Sequence, residues 1–287
     1  MQTELHGSEL PRSVIDEVVV RALAEDVGAG DVTTAACVPP GTRAVAHAVA
    51  RGPLVACGAP IAARVFALVD PETRFERVAH EGSKVERGTT LWTVKGDARS
   101  ILVCERVALN FVQRLSGIAT MARTYVDAVP EGTRTRITDT RKTTPGLRLF
   151  ERYAVRAGGA KNHRNDLSSA VLIKDNHVVA AGGIKPAIER ARARAPHTSR
   201  VECEVDTLEQ LEEALAAGAD IIMLDNMDTP TVEEAVRLTR GRALLEASGG
   251  ITLGRVAELA RAGVDAISVG ALTHSVTSAD IGLDFVS

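Results

Sequence analysis

The chain has 287 residues, 45% of them apolar and 25% charged, so it can bury one large domain or two smaller ones. A formal net charge of -3 and an aromatic content of 3% argue against nucleic-acid binding, which favours a broadly basic surface and stacking side chains. No apolar run approaches the roughly 18 residues of a membrane span, and the N-terminus lacks the apolar core of a signal peptide; we therefore expect a cytoplasmic protein without a membrane partner.

The chain begins with a predicted helix. Its pattern runs over residues 13–26, with Ser13 as the N-cap and with Gly28 and Gly30 ending it. Between Arg43 and Val94 the alternation of apolar and polar residues predicts strands joined by glycine-rich turns.

A helical segment interrupts these strands at residues 61–68, and a longer helix is predicted over residues 100–115. On this longer helix Arg106 falls on the polar face, where a solvated arginine is the usual outcome. We assign residues 1–115 to a small, β-rich N-terminal domain.

The second part, residues 116–287, alternates short strands with helices, a pattern typical of parallel strands covered by helices. Whether its last residues pack back on the N-terminal domain is left open. Helices are predicted at 207–217 and 253–262. The predicted strands cover residues 136–139, 170–174, 201–205, 220–224, 243–247 and 265–269.

Polar or small residues stand where these apolar strands end, namely Lys174, Glu204, Asp225, Glu246 and Gly270. A βα-barrel gathers the C-terminal ends of its strands around one mouth, so residues far apart in sequence meet there. The alternative is an open doubly wound sheet, but no Gly-x-Gly-x-x-Gly follows an early strand to favour it.

Two glycine-containing turns follow the last predicted strands, Ser248-Gly249-Gly250 and Val269-Gly270-Ala271. Glycines let backbone N–H groups approach an anion closely, and the loops after a barrel's last strands commonly hold a phosphate. Ordinary βα turns would also use glycine here, but the pair on consecutive strands favours a phosphate site.

A carboxylate at the end of a buried strand is costly unless it is paired or faces a polar cavity. Glu204 and Asp225 therefore form structural ion pairs, or they accept sugar hydroxyls and stabilise a developing cation at a ribose carbon. Because two such carboxylates lie on successive predicted strands, we favour their role in binding and stabilising the sugar. Glu246 also stands at the end of a predicted strand, but the argument for a functional role is weaker for this residue.

Five cationic or protonatable side chains crowd into about forty residues of this mildly acidic chain. Arginine grips a carboxylate through two parallel hydrogen bonds, whereas lysine acts as a point charge. The cluster therefore suits a small ligand with several carboxylates or phosphates. Its members are Arg141, Lys142, His163, Arg164 and Lys174.

In sequence order, these motifs resemble those of the quinolinate phosphoribosyltransferase family, from about Arg21 to the C-terminus. The matching segments are Glu105-Arg106, Leu115 to Thr120, Asp139 to Arg148, Asn162-His163-Arg164, Leu172 to His177, Glu204-Val205-Asp206, Leu224-Asp225-Asn226, Ser248-Gly249-Gly250 and Ser268 to His274.

The resemblance implies an incomplete βα-barrel beside a β-rich open-sandwich N-terminal domain, and an enzyme of NAD biosynthesis that joins quinolinate to phosphoribosyl pyrophosphate (PRPP) with loss of CO2. It implies a homodimer, with higher assemblies left open, in which Arg106 reaches into the neighbouring subunit's site. Quinolinate would be held by Arg141, His163, Arg164 and Lys174. PRPP would be held by Lys142, Glu204, Asp225, Ser248, Gly249 and Gly270, with Gly250 and Ala271 adjoining; Lys142, Glu204 and Asp225 are the catalytic candidates.

The resemblance also implies Mg²⁺ bound mainly through PRPP or pyrophosphate, with no metal site made by protein ligands. The chain departs from the family pattern at Ala160-Lys161, where a third glycine is usual, and at Ser169, where an aspartate is common. We expect these departures to affect backbone flexibility and a supporting hydrogen bond, not a ligand contact.

Two alternatives remain at this level. One is a related phosphoribosyltransferase that uses another aromatic acid. The other is a non-catalytic phosphosugar-binding or carrier protein, which is suggested because the residue pattern of 81–91 resembles half of a lipoyl-carrier domain.

Overall fold

The computed structural model describes residues 10–286, which fall into two compact units. The first comprises the residues up to 123, residues 143–159 and those from 273 onward; the second comprises residues 124–142 and 160–272. Residues 1–9, on which the expectation of no signal peptide partly rests, lie outside the described range. The predicted boundary between residues 115 and 116 stays a prediction.

The first unit is built around a four-stranded antiparallel sheet in the order β12-β1-β5-β3. In its core, Trp92 stacks on Phe75 with ring centroids 5.2 Å apart and meets Phe66 edge-on at 5.6 Å. Its strands are β1 (Arg43–Ala50), β3 (Arg74–Arg77), β5 (Thr90–Asp97) and β12 (Ile281–Val286), with β2 (Leu54–Val55) and β4 (Lys84–Val85) forming a separate pair. Its helices are α1 (Arg12–Val27), α2 (Val32–Cys37), α3 (Ala59–Val69), α5 (Arg148–Ala157) and most of α4 (Ala98–Asp127).

One detail of this unit differs from the prediction. Ser13 is not the N-cap of α1, because the helix begins one residue earlier: the carbonyl of Pro11 accepts hydrogen bonds from the backbone N–H groups of Val14 and Ile15. Cys37, at the end of α2, is exposed, whereas the other three cysteines are buried as a small apolar side chain usually is.

The second unit contains a six-stranded sheet whose neighbouring strands all run parallel, in the order β6-β11-β10-β9-β8-β7. Its strands are β6 (Arg136–Thr138), β7 (Val171–Ile173), β8 (Val201–Val205), β9 (Ile221–Asp225), β10 (Leu244–Ser248) and β11 (Ala266–Ser268). The helices between them are α6 (Asp175–Ala181), α7 (Ile184–Arg194), α8 (Leu208–Ala216), α9 (Thr229–Thr239) and α10 (Leu253–Ala262), and the four-residue α11 (Ala271–His274) follows β11.

The strand order makes this sheet an incomplete barrel. Within residues 10–286, β6 and β7 are its two edge strands, and an isolated parallel bridge between Thr138 and Lys161 lies beyond β6. The parallel βα pattern of the second unit and the antiparallel sheet of the first confirm the predicted fold class. In a parallel sheet of this kind the C-terminal ends of all strands lie at the same end of the sheet, and the candidate site lies there.

Over residues 10–286, none of the helices combines the length and the apolar character that crossing a lipid bilayer requires.

Candidate functional site

The register of the parallel strands places a series of polar side chains on one face of the sheet. Residues paired across neighbouring strands lie on the same face, and so do residues two apart along a strand. Leu172 pairs with Glu202, Glu204 with Met223, and Met223 in turn with Glu246. The polar residues on this face, or directly after its strands, are Arg136, Thr138, Lys174, Glu202, Glu204, Asp225, Glu246, Ser248 and Ser268.

The opposite face of the same strands is apolar and buried. Val201, Cys203 and Val205 alternate with the two glutamates of β8, and Ile222 and Leu224 alternate with Ile221, Met223 and Asp225 on β9. One face of these two strands is therefore entirely apolar, whereas the other combines the polar side chains of the site with apolar residues such as Met223.

Lys174 and Glu204 form an ion pair between the residue after β7 and the penultimate residue of β8. The Lys174 side chain is 44% exposed, whereas that of Glu204 is 12% exposed. A partly exposed ammonium held by a carboxylate can also contact an anionic ligand, so the structural and functional interpretations of Lys174 are compatible.

His163 contacts two buried carboxylates from different strands. Its Nε2 lies 3.3 Å from Oε2 of Glu202 on β8 and 3.5 Å from Oε1 of Glu246 on β10. Burial alone would lower the pKa of His163, but hydrogen bonds and charge attraction from both glutamates raise this pKa to about 10. Burial, reinforced by the charge of Glu246, raises the pKa of Glu202 although His163 and Arg164 lower it.

Asp139 anchors the segment that carries His163. Its carboxylate accepts a hydrogen bond of 2.7 Å from Nδ2 of Asn162 and one of 2.6 Å from the backbone N–H of His163. Asp139 is fully buried and directly follows β6. The segment is therefore tied to the C-terminal end of an edge strand.

Arg141 and Arg164 lie close enough for their charges to interact. Burial lowers the pKa of Arg164, the positive charge of Arg141 lowers it further, and Glu202 acts in the opposite direction. Placing two guanidinium groups near each other costs free energy that a bound anion recovers, so the arrangement indicates an anion site. Lys142, next in the chain, is exposed, and its backbone N–H donates to Oγ1 of Thr140 at 3.1 Å.

Asp225 and Ser248 end neighbouring strands and are paired in register. Asn226 connects them, because its Nδ2 donates to Oδ2 of Asp225 at 2.6 Å and its backbone N–H donates to the carbonyl of Ser248 at 3.0 Å. The turn continues through Gly249 and Gly250, with φ values of 82° and 55°. The Asp225 carboxylate is thus oriented by the same turn that we expect to bind phosphate.

Gly249 packs against Asn226 so closely that a Cβ atom there would collide with the amide oxygen of Asn226. Its φ of 82° is also unfavourable for any residue with a side chain. We expect Gly249→Ala to lower the free energy of unfolding by about 1–3 kcal/mol, measured by urea denaturation. Gly254→Ala is the matched control, because nothing lies within 4 Å of a Cβ there; equal stability of the two variants would contradict the role of Gly249.

Gly270 lies two residues after the end of β11, and Ala271 begins α11. Every predicted site residue except Arg106 belongs to the second unit. Arg106 is an exposed residue of α4 in the first unit.

Sequence reasoning missed Asp139 and Glu202 as site residues and misplaced Glu246. Glu246 is the third of the five residues of β10 and is buried, so it lies inside the strand and not at its end. The period of two along β8 could have found Glu202, since it shares a face with Glu204. Asp139 could have been found as the other site residues were, because it is a polar residue at the end of a predicted strand.

The two departures from the family pattern have structural roles. The N–H and C=O of Lys161 hydrogen-bond the chain at Ile137 and Asp139, and Ala160 is buried. The hydroxyl of Ser169 accepts hydrogen bonds of 3.0 Å from the backbone N–H groups of Asn165 and Asp166. Ser169 therefore supplies supporting hydrogen bonds to the loop itself.

Comparison with known proteins gives concordant matches. A family model described as "Quinolinate phosphoribosyl transferase, N-terminal domain" matches residues 31–116, and one described as the C-terminal domain of the same enzyme matches residues 118–284.

Individual relatives match over nearly the full chain. A probable nicotinate-nucleotide pyrophosphorylase [carboxylating] of Synechocystis is 47% identical, with 91% of this chain and 89% of the relative covered. The nicotinate-nucleotide pyrophosphorylase [carboxylating] of Mycobacterium leprae is 46% identical, with 93% and 96% covered. The crystal structure of NadC from Streptococcus pyogenes superposes with a TM-score of 0.92 at 43% identity, with 98% and 100% covered.

Proposed function

The chain belongs to the quinolinate phosphoribosyltransferase family, and from that premise we propose the following reaction and roles. The enzyme transfers the phosphoribosyl group of PRPP to the nitrogen of quinolinate and releases CO2, giving nicotinate mononucleotide and pyrophosphate for NAD biosynthesis. The observation that carries the assignment to this site is the meeting of cationic side chains and strand-end carboxylates at one end of a single parallel sheet.

Quinolinate has two carboxylates, and the cationic part of the site matches them. Arg141 and Arg164 are two guanidinium groups whose mutual repulsion is relieved by a dianionic ligand. Lys174 adds a partly exposed point charge. We assign these three residues and His163 to quinolinate.

The ribose of PRPP passes through an oxocarbenium-like state when pyrophosphate departs. Negative groups fixed before the reaction stabilise such a cation without reorganisation at the moment of reaction. We assign this role to Glu204 and Asp225, which lie on neighbouring strands; Met223, two residues before Asp225, is the register partner of Glu204.

The leaving pyrophosphate needs compensation for its negative charge. We assign Lys142 as its point charge, and the turns at Ser248, Gly249 and Gly270 as sources of backbone donors, with Gly250 and Ala271 adjoining them. The carboxylate oxygens of Glu204 and Asp225 are hard donors of the kind that suits Mg²⁺ together with substrate phosphates. Magnesium bound to PRPP would neutralise part of the pyrophosphate charge.

Decarboxylation requires no nucleophile from the protein. Once the pyridine nitrogen is bonded to the ribose, the positively charged ring accepts the electron pair left when the 2-carboxylate departs, and a proton then replaces it. The contribution of the protein is to orient two polyanions that repel each other, which can supply several kcal/mol of the barrier reduction.

We also propose that the enzyme is a cytoplasmic homodimer whose sites are shared between subunits. Arg106 is exposed on α4 in the first unit, whereas the other assigned residues belong to the second. In the proposed dimer Arg106 serves the site of the neighbouring subunit.

The reaction is tested with purified protein, quinolinate labelled at the 2-carboxylate, PRPP and Mg²⁺. We expect labelled CO2, pyrophosphate and nicotinate mononucleotide in equal amounts, and no product when nicotinate replaces quinolinate. Product from nicotinate without CO2 would instead identify a phosphoribosyltransferase for another aromatic acid. Ligand binding without pyrophosphate release would identify a binding protein.

A further inference from the structure

Two buried glutamates in the second unit have no assigned role in the reaction. Glu202 and Glu246 converge on Nε2 of His163, at 3.3 Å and 3.5 Å, from strands that are separated by β9. Both side chains are more than nine-tenths buried, and each has one carboxylate oxygen without a hydrogen-bond partner. Burying a carboxylate costs free energy, so two buried carboxylates at one place indicate a functional role.

The other nitrogen of the ring decides how the three groups interact. Nδ1 of His163 accepts a hydrogen bond of 2.8 Å from the backbone N–H of Arg164. The ring proton therefore lies on Nε2, which faces the two carboxylates. A metal ion bound to Nε2 would require the opposite tautomer, so the geometry favours a cluster of histidine and carboxylates over a cation site.

We propose that Glu202 and Glu246 are positioning residues for the reaction, which hold His163 and through it present Arg164 to a carboxylate of the substrate. This inference rests on the proposed function. The cluster consists of His163, Glu202 and Glu246 and is called the His–Glu–Glu cluster below.

The segment of residues 162–164 is held from two sides. Asp139 fixes the backbone of His163 and the side chain of Asn162 from the end of β6. The two glutamates fix the ring of His163 from β8 and β10. Because Arg164 immediately follows, removal of one of these anchors leaves its side chain to be ordered by the substrate itself, which weakens binding by about three- to tenfold.

Glu202 also acts on Arg164 directly. Its negative charge favours the charged form of Arg164, opposing the effects of burial and of Arg141. Glu202 therefore lets two like charges remain close together before the anion arrives.

The test uses Glu246→Gln and Glu202→Gln in the full-length enzyme. Each change keeps the shape of the side chain and removes its negative charge. Glu233→Gln, on the exposed face of α9, is the matched control. The KM for quinolinate, the KM for PRPP and kcat are measured at pH 7, with melting temperatures as the check on folding.

In each cluster variant that folds, we expect the KM for quinolinate at pH 7 to rise about three- to tenfold, with the KM for PRPP changed less than about twofold. The control should keep the wild-type values. An unchanged KM for quinolinate in the cluster variants, or an equal change for both substrates, would overturn the inference.

These outcomes separate the inference from the proposed function. A wild type that turns over quinolinate beside unaffected cluster variants overturns only the positioning role. A wild type that neither binds nor turns over quinolinate overturns the proposed function and this inference with it.

Discussion

Replacing Arg141 with alanine is expected to raise the KM for quinolinate by about 10- to 100-fold. Under the proposed function, Arg141 grips a substrate carboxylate, and a hydrogen bond between charged groups contributes about 1.5–3 kcal/mol. Arg141 also lies near Arg164, so the variant has one less positive charge facing a dianion. The loss should therefore appear in the KM for quinolinate and leave that for PRPP nearly unchanged.

Two further variants sharpen this experiment. Arg141→Lys keeps the charge and loses the two-pronged hydrogen bonding, so its KM should lie between those of the wild type and the alanine variant. Arg134→Ala removes an exposed arginine ahead of β6 and serves as the control. If Arg141→Ala leaves the KM for quinolinate unchanged, Arg141 does not bind this substrate.

The barrel strands could be predicted from the sequence because buried parallel strands are short apolar runs with a polar residue near the end. Residues 201–205 were predicted with the bounds of β8, and the other strands differ by one residue at one or both ends. Strand ends also located most of the candidate site, because parallel strands bring their C-terminal ends together.

Helix α5 was missed although its apolar residues Phe150, Tyr153, Ala154 and Ala157 recur at helical spacing. Charged residues beside this stripe are buried as well, which the sequence does not indicate. Glu151 is fully buried and accepts hydrogen bonds from Arg114 at 2.8 Å and from the hydroxyl of Thr144 at 2.8 Å.

The long helix α4 was predicted to stop at residue 115, but it continues to Asp127. Glycine is a weak helix former, so Gly117 suggests a helix end. In the structure Gly117 lies within α4, where a Cβ atom would collide with the carbonyl oxygen of Thr277. Its role is close packing against a segment 160 residues away, which local sequence does not reveal.

The candidate site contains residues that the sequence locates and residues that it does not. Lys174 and Glu204 follow from strand position alone, and the structure joins them in an ion pair. The contact of His163 with Glu246 joins residues far apart in sequence, and only the register of the sheet brings them together. Arg106 has no sequence signal beyond the family resemblance, because an exposed arginine on a helix is ordinary.

Arg106→Ala and Lys142→Ala are each expected to lose activity by about 100-fold or more, because both remove a positive charge that faces the polyanionic transition state. Mixing the two inactive proteins under conditions that exchange subunits should nevertheless restore activity. In the proposed dimer, each heterodimer has one site with an intact Lys142 from one chain and an intact Arg106 from the other. Random exchange then gives about a quarter of the wild-type activity.

A double variant, Arg106→Ala with Lys142→Ala, provides the matched control when it is mixed with wild type. If Arg106 acts on the neighbouring subunit's site, both sites of each heterodimer are damaged, and the mixture keeps about a quarter of full activity. If Arg106 acts within its own chain, one site of each heterodimer survives, and the mixture keeps about half. In that second case the two single variants restore nothing when mixed, so the paired measurements distinguish a shared site from a self-contained one whatever the residual activity of each variant.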